Sequence, residues 1–119
     1  MAYDYQTSVG DTGLDLVAVL KSDVSGTQTA VDFTTYASVA FYMWPEDSTT
    51  MKVDGTAATF SDAANGQVTY TWSAADVDTA GNYRFKFVTV DGSGDEVTFP
   101  RIEPGYGTIK IWAESEITS

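Results

Sequence analysis

The chain has 119 residues, with 17 acidic against 6 basic side chains and neither cysteine nor histidine. That length makes one domain, 1–119, with room for a genuine core, and the formal charge of −11 works against nucleic acid or an anionic membrane as partner. Without cysteine or histidine the chain has no disulfide, no thiolate nucleophile, and neither the commonest general base nor the commonest metal ligand, so no enzyme activity, cofactor or metal is expected.

In chain order, the first residues lack a basic stretch followed by an apolar one, so no signal peptide is expected. No apolar run reaches the roughly 20 residues that cross a bilayer. Gly13 to Leu20 alternates, with Leu14, Leu16, Ala18 and Leu20 on one face, and predicts a strand followed by a turn-rich segment over Ser22–Thr27. A long strand is predicted over Ala37–Trp44, with shorter ones at Ala57–Ser61, Gln67–Trp72, Gly81–Val90, Glu96–Phe99 and Thr108–Trp112. Turns are expected at Val53–Gly55, Ala64–Gly66 and Asp91–Gly94. The 17 threonines suit a pleated surface. Both chain ends are expected to be tied down.

The most informative stretch is Gly66 to Phe87. Val68, Tyr70 and Trp72 share one face of a strand, while Tyr83, Phe85 and Phe87 share one face of the next, with Arg84 and Lys86 turned the other way. Between them, Ser73 and Asp76 have capping-box spacing for a single helical turn, and Asp78 to Tyr83 has the spacing of a tyrosine corner. Such a corner marks immunoglobulin-like sandwiches, so the predicted fold is all-β, a single Ig-like β-sandwich. Phe85 stands where the second cysteine of such a domain would fall, and Trp72 and Phe85 are expected to replace the disulfide with apolar packing. The Tyr83 hydroxyl is expected to bond backbone near Asp76–Asp78.

Asp91-Gly-Ser-Gly-Asp-Glu96 reads as a glycine-rich hairpin; its oxygens also have a spacing that could wrap Ca²⁺, the second reading of that loop. The acids otherwise sit singly in turn-like segments, as a solvated surface or as an adaptation to high salt. In Val39–Trp44 one face takes Val39, Phe41 and Met43 while Tyr42 and Trp44 emerge on the other, and Trp112 opposes Ile109 and Ile111. Several aromatics on outer faces point to contact with another subunit, which makes Tyr42, Trp44 and Trp112 the candidate assembly surface.

These residues resemble a small β-sandwich domain of tailed-virus particles, similar to the N-terminal domain of the phage baseplate upper protein family. The likeness rests on Gly10-Asp-Thr-Gly-Leu-Asp15, on Ala30-Val-Asp-Phe-Thr34 leading into Ala37–Met43, on Asp62–Trp72 and Asp76–Tyr83, and on an acidic hairpin ending in Thr98-Phe-Pro100. The resemblance implies a non-enzymatic virion component, in a baseplate, tail, connector or capsid surface. Its partners would be other virion proteins and copies of itself. Such domains often open longer proteins, whereas this chain stops soon after Trp112. The competing expectation is a carbohydrate-binding or adhesion module stacking sugars on Trp44, Trp72 or Trp112.

Overall fold

The computed structural model describes residues 5–8, 15–24, 27–99 and 107–112. Its strands are β1 (Tyr5–Ser8), β2 (Leu16–Val19), β3 (Lys21–Val24), β4 (Thr27–Ala30) and β5 (Tyr36–Pro45), followed by β6 (Val53–Asp62), β7 (Gln67–Tyr70), β8 (Gly81–Asp91), β9 (Glu96–Phe99) and β10 (Gly107–Trp112). Two 3₁₀ turns, Ala63–Asn65 and Ala74–Val77, are the helical segments among the described residues. The fold is all-β.

Eight strands make one sheet in the order β1-β10-β8-β5-β6-β7-β2, with β9 beside β8, and β3 pairs with β4 as a separate hairpin. β8 is the longest strand; β5 lies along one edge, while β10 (against Gly81–Phe85) and β9 (against Phe87–Val90) share the other end to end. β1 adds to β10 in parallel, which ties the earliest described strand to the last one. β6 belongs to both halves of the sheet. Its residues Val53–Ala58 pair with β5, and Thr59–Asp62 pair with β7. In a flat sheet two strands flanking a third are about 9–10 Å apart. Here Phe41 of β5 stacks on Tyr70 of β7 with ring centroids 4.4 Å apart, as the sheet curls at β6.

Alternation decides which side chains lie inside. Val39, Phe41 and Met43 of β5, Tyr83, Phe85 and Phe87 of β8, Ile109 and Ile111 of β10, and Leu16 and Ala18 of β2 are all buried, together with Leu20 just beyond β2. Phe41 is the hub: it contacts Tyr70, Trp72, Phe85 and Phe87. A second aromatic group forms at the other end, where Phe33 meets Phe60 and Phe99. Each such ring contributes roughly 1.5–3 kcal/mol through burial.

Two glycines shape the curl. Phe41 pairs with Thr56 and Tyr42 with Asp54, leaving Gly55 as the extra residue of a β-bulge at φ +76°. A Cβ there would stand 2.9 Å from the Tyr42 hydroxyl oxygen. The Val53–Gly55 segment, predicted as a turn, is therefore a bulge inside a strand, because glycine serves both structures through the same positive φ. Gly66, also at φ +76°, closes the Ala63–Asn65 turn, and a Cβ on it would lie 2.8 Å from the Val31 carbonyl oxygen.

Strand prediction differs from the structure in three further places. In the segment predicted as turn-rich, Ser22–Val24 belong to β3 and Thr27 to β4, two paired strands whose polar residues carry no alternating signal. β1 was not anticipated, for the same reason. The strand expected to reach Trp72 ends at Tyr70, although Trp72 still lies in the core. Leu14, predicted inward, lies outside the described residues.

Candidate functional site

The Ser73–Asp78 corner joins the two halves. The Asp76 carboxylate accepts the Ser73 N–H at 2.9 Å, while the Asp76 N–H donates to the Ser73 carbonyl at 3.0 Å. The same carboxylate oxygen accepts the Tyr70 hydroxyl at 2.5 Å, so a buried acid is held by partners on both sides. Burial, and then the bond to Asp76, push the Tyr70 phenol well above its usual range. Tyr83 is buried and its hydroxyl donates to the Thr79 carbonyl at 2.8 Å, one residue beyond the Asp76–Asp78 segment named from sequence. Burial raises its pKa too. Asp78 is exposed; the hydrogen bond from Lys52, and then that from Thr79, hold its carboxyl below the usual carboxylate range. Trp72 and Phe85 are both buried, and Phe41 bridges them.

The outer face of β5 and β8 carries the aromatic candidates. Tyr42 and Trp44 are half-buried. Register sets Tyr42 opposite Lys86, Trp44 opposite Arg84, and Lys110 of β10 opposite Asn82. Period two turns all of these side chains away from the core. The Lys86 ammonium lies 5.1 Å from the Tyr42 ring centroid, and Gly55 lies against the same tyrosine. Three of the chain's 6 basic residues thus gather on one face beside two aromatics. The backbone of Trp112 pairs with Ser8 at the far side of β10, and its side chain lies outside the described residues. The structure therefore brings Tyr42 and Trp44 together. Alternation in the sequence turns Arg84 and Lys86 outward, and the position of Lys110 between Ile109 and Ile111 is the signal that adds it to this face.

At the end of this face is an open groove of about 280 Å³ lined by Pro45, Glu46, Thr79, Asn82 and Tyr83 among others. Asn82 Oδ1 is the one buried side-chain polar atom without a hydrogen-bond partner among the described residues. An acceptor left in that state costs on the order of 1–3 kcal/mol, so it is a place where an incoming donor is favoured.

The Asp91–Asp95 loop is a hairpin turn. Asp91 Oδ1 accepts the N–H groups of Ser93 and Asp95 at 2.9 and 3.0 Å, and the Gly94 N–H donates to the Asp91 carbonyl. That oxygen is committed to the turn. Among the described residues no three metal-ligating side chains cluster.

These features define an all-β protein with an apolar curled interior, a hydrogen-bonded Ser73–Asp78 turn and an outer face that carries Tyr42 and Trp44 with Arg84, Lys86 and Lys110. No family model matches the sequence, and no curated protein matches it.

Proposed function

We propose that this protein is a non-enzymatic structural component of a tailed-virus particle, of the Ig-like sandwich type, acting through protein–protein contacts in a baseplate, tail, connector or capsid surface. The observation that carries the reading is the outer face where Tyr42 and Trp44 lie beside Arg84, Lys86 and Lys110. Aromatic residues and arginine are the types enriched at the centres of interfaces.

Sugar stacking on Trp44, Trp72 or Trp112 would need an open ring face. Trp72 is buried in the core, and beside Trp44 the Tyr42 ring has Lys86 over it, which supports assembly over carbohydrate binding.

The test has two stages. Mass spectrometry of purified virions should find the chain among the particle proteins. The double variant Tyr42→Ala/Trp44→Ala should then keep its circular dichroism spectrum and lose incorporation into particles. Normal incorporation would move the assembly surface elsewhere, and absence from every particle would end the virion reading.

A further inference from the structure

Residues 15–21 alternate strictly in exposure: Asp15, Val17, Val19 and Lys21 face solvent, while Leu16, Ala18 and Leu20 are buried. Val17 and Val19 are each 46% exposed and are, with Met51, the large apolar side chains most open to water among the described residues. β2 is also the last strand of the sheet and pairs with β7 alone among the described strands.

Backbone direction follows from two bonds. The Leu20 N–H donates to the Gly66 carbonyl at 2.8 Å, and the Leu20 carbonyl accepts the Val31 N–H at 3.0 Å. Leu16, Ala18 and Leu20 therefore point their backbone groups toward β7 and the end of β4. By the alternation of antiparallel ladders, Val17, Val19 and Lys21 point theirs to the side on which no described strand pairs. Natural edge strands are shielded by charge, proline or a bulge. Leu16–Leu20 has no charge or proline, and the β2–β7 register runs without a shift.

We propose that β2 pairs antiparallel with β2 of a second copy of this chain, across a two-fold axis at Ala18. In this register Val17 faces Val19 of the second copy, and both residues have the outward N–H and C=O groups needed to exchange backbone hydrogen bonds. The four valines then form one apolar patch on the outer face. Asp15 comes opposite Lys21 of the second copy, so the flanking charges are complementary only when the strands run in opposite directions; a parallel arrangement would set Asp15 against Asp15. This self-complementarity singles out a second copy as the occupant, and an isologous contact closes at the dimer. The inference does not rest on the virion reading, and it uses a different face from Tyr42 and Trp44.

Sedimentation equilibrium of the full chain in about 0.15 M NaCl, where the Debye length is about 8 Å, should show a concentration-dependent monomer–dimer equilibrium in the micromolar to sub-millimolar range expected of a small interface. Val17→Lys/Val19→Lys should be monomeric throughout with an unchanged circular dichroism spectrum, since both side chains are exposed. Lys21→Asp should weaken the dimer about tenfold, and Asp15→Lys/Lys21→Asp should restore it, because the swap recreates both symmetric pairs. Amide exchange at Val17 and Val19 should slow as concentration rises. A monomer over the whole range overturns the proposal, as does a dimer indifferent to the valine substitutions or a charge swap that fails to restore. A dimer abolished instead by Tyr42→Ala/Trp44→Ala would refute the β2 edge while leaving the assembly reading of the other face intact.

Discussion

On the half of the sheet built from β5, β8 and β10 the outward side chains include Tyr42, Trp44, Arg84, Lys86 and Lys110. On the half built from the end of β6, β7 and β2 they are Thr59, Ser61, Gln67, Thr69, Val17 and Val19. Inward, the two halves are alike in being aromatic: Phe41, packed with Phe85 and Phe87, meets Tyr70 on the other side, with Trp72 just past β7. Outward, side-chain length and charge separate them. On β5 and β8 the Lys86 ammonium lies over the Tyr42 ring of the neighbouring strand. On the other half, short hydroxyl and amide side chains bond one another, Thr69 to Ser61 at 2.8 Å and Gln67 to Ser61 at 3.2 Å, and the last strand leaves its valines uncovered. A core can thus be uniform while the surfaces over it differ in what they can bind.

The strongest way to break the likeness of the two inner faces is to remove the ring that joins them. Phe41→Ala should cost on the order of 3–5 kcal/mol in denaturant melts, and Trp72→Ala or Phe85→Ala should fall in the same range. A loss below about 1 kcal/mol at Phe41 would mean that the halves do not depend on one another.

The two corner tyrosines sharpen the comparison further, since each half sends one phenol to the joining turn. Tyr70 donates to a buried carboxylate and Tyr83 to a backbone carbonyl. Bonds to charged groups are worth more than neutral ones. Tyr70→Phe should therefore cost about 1.5–3 kcal/mol and Tyr83→Phe about 1 kcal/mol, read from the shift of the urea midpoint. The reverse order would place the anchoring bond of the corner at Thr79.

The same pair predicts behaviour at alkaline pH. Both phenols ionise above the ordinary value of 10.0 in the folded state. Their stabilisation is complete below 10.0 and is lost as pH rises past it toward the folded values, because the unfolded chain gives up these protons first. Melting temperature should fall above about pH 10, and Tyr70→Phe should flatten that fall. An unchanged slope in the variant would assign the effect elsewhere.

Smaller effects belong to the surface. With charge −11, melting temperature should rise as NaCl increases from about 0.05 to 2 M; a flat curve would count against self-repulsion. Asn82→Ala should leave stability unchanged or raise it by up to about 1 kcal/mol, since it removes an unsatisfied acceptor. If the groove meets a partner's donor, the same variant should lower incorporation into particles.

Much of the interior was legible in the residues themselves. Period two along Val39–Met43 and Tyr83–Phe87 sorts inward from outward side chains whatever the neighbouring strand, and the Ser73–Asp76 spacing announces a tight turn because both groups act within three residues. The candidate surface was half legible. Tyr42 and Trp44 stand out against the alternation, whereas the gathering of Arg84, Lys86 and Lys110 depends on β10 lying beside β8, a pairing between segments far apart in the chain. The polar β3–β4 hairpin carries no apolar alternation and gives no local signal.

Sequence alone determined the all-β character and the inward face of each long strand, because alternation and β-branched composition act residue by residue. Tertiary structure decided the rest. Only strand order makes β6 serve both halves, turns Asp54-Gly55 into a bulge under Tyr42 and leaves β2 at an edge among the described strands. Each of these depends on which backbone groups find partners across the sheet, and that is settled by packing the whole chain around one core.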